Sequence, residues 1–145
     1  MKRVFLLIVL LYQSLACMGA EGSGDLSIVV TNIEDHKGAI VLALHNVHDT
    51  YLSKDETKEP FRSSSTRVGP SQRTVVTLEQ IPYGSYAVSV FHDVNSNGEL
   101  DSGFFGIPKE PYGFSNNIKK LTPPSFQEAT FVFADKSRGI EVALK

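Results

Sequence analysis

From residue 25 onward the chain alternates between apolar and polar positions in short runs separated by turn residues. DLSIVVTN (25–32) puts Leu26, Ile28 and Val30 on one face. Successive side chains of a strand point to opposite sides of a sheet, so this spacing predicts a strand with one buried face. GAIVLALHN (38–46) is a near-continuous β-branched run, and the polar IEDHKG before it reads as the connection of a hairpin with 25–32. FRSSSTRV (61–68) reads as a polar edge strand. RTVVTLEQI (73–81) and SYAVSVFHD (85–93) flank the turn Pro82-Tyr83-Gly84, the second with Tyr86, Val88 and Val90 on one face. SFQEATFVFAD (125–135) and RGIEVALK (138–145) close the chain around Asp135-Lys136-Ser137. Residues 49–60 predict a loop or one helical turn, and no segment carries a helical stripe of useful length. About seven strands with regular turn signals predict an all-β fold, an antiparallel β-sandwich. A βαβ layout is excluded because the crossover helices are missing.

The first residues have a different pattern. Lys2 and Arg3 precede the unbroken apolar run Val4 to Leu11, and small residues follow in SLACMGA. This is the layout of a secretory signal peptide. Eight apolar residues are too few to cross a hydrocarbon core, which takes about 20 in a helix. The expected organisation is a leader over 1–20 and a single domain over 21–145, exported to the periplasm, the envelope or the medium. No transmembrane helix is expected in the mature chain. Cys17, the only cysteine, is a candidate lipidation site, which would anchor the chain to a membrane. Ala16 suits the position before it, but Ser14 stands where a lipobox has Leu. Ordinary cleavage after Ala16 or Ala20 is the alternative. With one cysteine, no intrachain disulfide can form.

Charge narrows the partners. The chain carries 14 Lys and Arg against 16 Asp and Glu, and loss of Lys2 and Arg3 takes the balance to −4. A nucleic-acid partner calls for a basic patch that releases counterions, so none is expected. An envelope or extracellular ligand remains.

The densest candidate chemistry is HDVNSNGELD, residues 92–101. Hard cations such as Ca²⁺ bind through six to eight oxygens. Asp93, Asn95 and Asn97 alternate, Gly98 permits a sharp bend, Glu99 would offer its carbonyl and Asp101 its carboxylate or a bridging water. This matches the opening of an EF-hand loop, but Phe104 stands where the bidentate Glu belongs, and no helices flank it. It resembles more closely the D-x-N-x-N-G-x-x-D that follows a strand in B-type repeats of Gram-positive surface adhesins, with Glu110 or nearby carbonyls as a further ligand. Two carboxylates and two amides predict a weak site, on the order of 10⁻⁴ to 10⁻³ M. The alternative is a plain polar turn, since Asn97-Gly98 is a strong hairpin signal.

The next stretch, GFFGIPKEPYGFSNN (103–117), has no period and holds Phe104, Phe105, Tyr112 and Phe114. Loops of this length are functional or packed on themselves. As a carbohydrate- or peptide-binding platform it would use Tyr112 and Phe114 for stacking and Lys109, Glu110, Asn116 and Asn117 for polar contacts. Otherwise the aromatics pin the loop onto one end of the sandwich, and both readings hold if only Tyr112 is exposed.

Together PYGSYAVSVFHDVNSNGELDSGFFGIPKEPYGFSNN (82–117) and PPSFQEATF (123–131) resemble the bacterial family known as domain of unknown function 2141. The resemblance covers most of the mature chain. One departure is Pro111, where the family usually has Gly. What the resemblance implies is an exported β-sandwich of prealbumin- or immunoglobulin-like type, and no activity, the family having none established.

No catalytic constellation is legible. His45 and His48 lie near a strand end, facing opposite ways, and His92 and Asp93 diverge as strand neighbours. No serine elbow, zinc motif, phosphate loop or dinucleotide fingerprint is present. The expected role is therefore that of a non-catalytic binding or structural module of the cell envelope, with an envelope enzyme using His92 and Asp93 or Asp101 as the remote alternative.

Overall fold

Strands form where the period-two runs lie. The computed structural model describes residues 22–145, so the expected leader and Cys17 lie outside the described residues. Its strands are β1 (Ser23–Thr31), β2 (Ala39–His45), β3 (Arg62–Arg67), β4 (Thr74–Pro82), β5 (Gly84–Asp93), β6 (Tyr112–Phe114), β7 (Phe131–Phe133) and β8 (Ser137–Ala143). One sheet has the order β4-β1-β8. The other runs β3-β2-β5, with β6 and β7 both paired to β5. Leu26, Ile28 and Val30 of β1 face Ile40, Leu42 and Leu44 of β2 and Tyr86, Val88 and Val90 of β5 in one buried cluster. This is the β-sandwich that the alternation predicts.

Three local expectations change. The hairpin between 25–32 and 38–46 does not form: β1 pairs with β4 and β8, and β2 with β3 and β5. Residues 32–38 instead cross between the sheets, with Ile33 fully buried at the corner. Alternation shows that a face is buried, but not whether its partner lies beside it or across the core. The pairing is antiparallel except at β1 and β8, which run parallel from Asp25–Ser137 to Thr31–Ala143.

The strand expected over 125–135 is the second. Ser125 Oγ accepts from the Glu128 N–H at 3.3 Å, and Glu128 Oε2 accepts from the Ser125 N–H at 2.7 Å. This capping box starts a single helical turn, α1 (Phe126–Ala129), and leaves only Phe131–Phe133 as strand. The third is β6, which forms inside the stretch without period. β6 and β7 share one side of β5, and Ser115 fills the gap between them. Its Oγ accepts from the Val88 N–H at 2.9 Å and donates to the Ala129 carbonyl at 2.5 Å.

The registers sort the loops by end. Ala39 pairs with both Asp93 and Arg67, and Thr74 with Val30. The β1–β2 crossing, the β3–β4 turn and the long β5–β6 loop (94–111) therefore share one end. Ser23 pairs with Pro82, so the described chain begins at the other end, beside the β4–β5 turn. Among the described residues no helix is long and apolar enough to cross a membrane.

Candidate functional site: a polar base and an apolar tip

The β5–β6 loop begins with a carboxylate turned back onto its own backbone. Asp93, the last residue of β5, accepts from the Asn97 N–H at 3.0 Å and the Gly98 N–H at 2.8 Å, one on each oxygen. Asn95 Oδ1 shares the Asn97 N–H at 3.1 Å, and Asn97 Oδ1 takes the Glu99 N–H at 2.9 Å. These are short Asx turns, and positive φ at Ser96 and Gly98 (61° and 82°) lets the chain curl so tightly. The amide groups of Asn95 and Asn97 then donate to the two oxygens of Asp101, at 2.6 and 3.1 Å. The candidate metal residues Asp93, Asn95, Asn97 and Asp101 thus form one connected network. Glu99 is exposed and joins it through its N–H alone.

Glu110 closes this base from the returning side. One carboxylate oxygen accepts from the Val94 N–H at 2.8 Å, the other from the Asp101 N–H at 3.1 Å. The Lys109 N–H donates to the Asp101 carbonyl at 2.8 Å. Asp93 is 4% exposed and Glu110 8%. Burial of a carboxylate is costly unless hydrogen bonds replace its water, and both have that replacement. Gly38 packs beneath: a Cβ there would fall 1.9 Å from the Asp93 carbonyl oxygen, and its φ is +72°. The crossing between the sheets therefore seats the loop. Among the described residues no three His, Cys, Asp or Glu side chains gather closely enough to hold a metal by themselves. A cation at this base would draw on the Asn and backbone oxygens as well.

Above the base the chain makes a narrow hairpin. Ser102 and Pro108 form a bridge, the Gly103 N–H donates to the Ile107 carbonyl at 2.7 Å, and the Gly106 N–H to the Gly103 carbonyl at 3.2 Å. At its tip Phe104 is 90% exposed, Phe105 96% and Ile107 65%; Leu100, earlier in the loop, is 37% exposed. The two rings are neighbours, 6.3 Å between centroids. Phe105 has φ 63° and ψ 18°, a left-handed conformation that a bulky side chain rarely adopts. The backbone is bent there, with its ring in solvent.

The aromatic set expected to bind therefore divides differently. Phe114 is buried and packs with Tyr51, Ala87 and Ala129 on the outer face of β5. Tyr112 is half-buried, and the Lys145 ammonium sits 5.2 Å from its ring centroid, over the face a sugar would stack on. Glu110 is committed to the base. Asn116 donates to the Glu128 and Thr130 carbonyls, both at 2.9 Å, and Asn117 spans to the Glu141 carbonyl and the Ala143 N–H. Both asparagines clamp the β6 end to its neighbours. Lys109 remains exposed, its stem lying along Gly103. The exposed apolar residues of the loop are Leu100, Phe104, Phe105 and Ile107. Their signal in the sequence was GFFG, an apolar pair between two glycines with no alternation to give it a buried side.

Two histidines, His45 and His92, have structural partners. Thr50 Oγ1 donates to the Val47 carbonyl at 3.2 Å, which leaves it to accept from His45 Nδ1–H at 3.1 Å. His45 Nε2 then accepts from the Ser89 hydroxyl at 3.1 Å. Burial holds the His45 ring below its ordinary pKa, and the Tyr51 ring covers it edge-on at 5.4 Å. The order serine–histidine–threonine is that of a nucleophile, a base and an orienting group. Here the ring is covered, and the chain ties β2 and the 47–51 turn to β5. His92 is fully buried: Nε2 donates to the Lys37 carbonyl at 2.7 Å, and Nδ1 has no partner.

Comparison with known proteins agrees with the resemblance seen in the sequence. No curated protein and no solved structure matches the chain. One family model does, over residues 28–141, from the middle of β1 to near the end of β8, so that both sheets and the whole β5–β6 loop fall inside the match. The chain belongs to the family described as "Uncharacterized protein conserved in bacteria (DUF2141)".

Proposed function

We propose that this chain is an exported, non-catalytic binding module of the bacterial cell envelope whose contact surface is the apolar tip of the β5–β6 loop. The observation that carries the reading is the exposure of Phe104 and Phe105 on a hairpin fixed by hydrogen bonds at its base. A folded domain gains by burying such side chains, roughly 1.5–3 kcal/mol each, and here it holds them in water. Exposed apolar groups framed by polar ones mark interaction sites. Retention of the purified chain on isolated bacterial envelope tests this. Phe104→Ser/Phe105→Ser is expected to reduce retention at least tenfold, and a double variant that binds like the wild type overturns the reading.

Calcium belongs to this proposal as a stiffener of the base. The Asn95 and Asn97 amides donate to Asp101 where a cation would stand between the same oxygens. Occupancy there would exchange two neutral donors for one divalent charge. Thermal unfolding in EDTA, Mg²⁺ and Ca²⁺ checks it. At about tenfold excess over Kd, Ca²⁺ adds roughly 1.4 kcal/mol, a rise of about 3–6 °C. The rise is expected to vanish in Asp101→Ala, and equal midpoints in EDTA and Ca²⁺ would leave the loop a polar turn. Export and the anchoring of Cys17 rest on the order of residues 2–20. The mass of the mature chain separates a lipidated Cys17 from cleavage after Ala16 or Ala20.

A further inference from the structure

We infer that the partner of the tip is the surface of a lipid bilayer, into whose headgroup–acyl boundary Phe104, Phe105 and Ile107 insert. This deepens the binding reading above and rests on it. Shape is the first argument. The exposed apolar residues project from a hairpin and do not line a groove, so they fit a partner that closes around a prong.

Area is the second. Taking about 200 Å² for a whole aromatic side chain, the tip offers roughly 500 Å² of apolar surface. A stable protein interface buries about 800 Å² on each partner, so a second copy meeting this tip alone falls short. A fluid apolar phase needs no matching surface, and interfacial segments settle about 5–10 Å into the headgroup–acyl boundary.

Depth is the third argument. An apolar phase penalises every unpaired N–H and C=O. At this tip the Gly103 and Gly106 N–H groups are bonded internally and Pro108 has none, while the N–H groups of Phe104, Phe105 and Ile107 face out, so the backbone stays at the hydrated headgroups and only the side chains reach the acyl edge. The hairpin is already closed through Ser102–Pro108 and the Asp101–Lys109 bond, so insertion orders little new chain. The flanking chemistry also fits. Lys109 runs its stem along the hairpin with its ammonium in water, placed to meet phosphate while the rings enter the acyl edge. The tip belongs to the end of the sandwich opposite Ser23, where the described chain begins.

The chain contains no tryptophan, which supplies a clean probe. Phe105→Trp in the chain from residue 21, which carries both sheets and the core between them, installs one fluorophore at the tip. With vesicles of phosphatidylethanolamine and phosphatidylglycerol, its emission is expected to shift to the blue and to be quenched by brominated acyl chains. Co-sedimentation of the otherwise unaltered chain with the same vesicles is expected to fall at least tenfold in Phe104→Ser/Phe105→Ser. Equal sedimentation of the two, or a tryptophan that stays in water, overturns the bilayer as partner. No vesicle binding together with tip-dependent retention on envelope overturns this inference and leaves the binding reading standing, with a protein or glycan as the occupant. Loss of both signals overturns both.

Discussion

The two halves of the β5–β6 loop reverse the usual order of burial. At its base, Asp93 and Glu110 are nearly inaccessible; at its tip, Phe104 and Phe105 are almost wholly in water. The core between the sheets obeys the ordinary rule, with Leu26, Ile28, Ile40 and Leu42 fully buried. The inversion separates what holds the loop from what is proposed to make contact. A carboxylate with two N–H donors fixes backbone direction in a way an apolar side chain cannot, because its bonds are directional and charge-assisted. A phenylalanine with no partner contributes little to the fold. Stability is concentrated at the base, and the proposed contact surface lies at the tip.

The comparison breaks most readily at the base. Glu110→Ala removes the acceptor for the Val94 and Asp101 N–H groups, and Asp93→Ala does the same for Asn97 and Gly98. Each is expected to cost about 2–3 kcal/mol in urea unfolding, from the loss of charge-assisted bonds and the donors left behind. A loss below about 0.5 kcal/mol, the level of an ordinary surface change, would mean that the base does not hold the loop.

Acid sharpens the contrast by testing a buried polar group away from the loop. The His45 pKa lies below its ordinary value of 6.5 because burial disfavours the charged ring. On acidification the unfolded chain therefore takes up this proton first. The contribution of His45 is complete above about pH 6.5 and is lost as pH falls from there toward the folded value. The melting temperature should drop as pH falls below about 6.5, and His45→Gln should drop less. An identical slope in the variant would mean that other groups carry the acid sensitivity.

The smallest effects belong to the tip. Phe104→Ser/Phe105→Ser is expected to change stability by no more than about 0.5 kcal/mol. Phe105→Gly relieves the left-handed backbone and should be neutral or stabilising by up to about 1 kcal/mol. A large loss in either would mean that the rings pack in solution and are not presented to a partner.

Much of the sandwich was legible because its strands alternate, and alternation reports burial directly. The crossing at 32–38 was not, because Leu26 and Ile40 bury their faces whether the two strands pair in one sheet or face each other across two. The turn at 126–129 was written in the sequence as S-x-x-E, but the apolar residues around it carried the strand reading. At the site, Asp93, Asn95, Asn97 and Asp101 were found by their spacing, and their spacing does close a network. Tyr112 and Phe114 were preferred over Phe104 and Phe105 because composition cannot say which aromatic of four faces inward. That choice depends on β6, a three-residue strand held by Ser115 and by neighbours distant in sequence. Gly38 was also silent, since its role depends on an oxygen more than fifty residues away.

The parallel pairing of β1 with β8 has a consequence in time. Asn32 and Leu144, which the pairing brings together, are 112 residues apart. At about 5–20 residues per second, roughly 6–22 s pass between the emergence of one and the other from the ribosome. Throughout that interval β1, with Leu26, Ile28 and Val30, has an unprotected edge, the kind of surface on which growing chains stick to one another. The first of the described strands is thus among the last to be sealed, its edge open until residues 137–143 arrive.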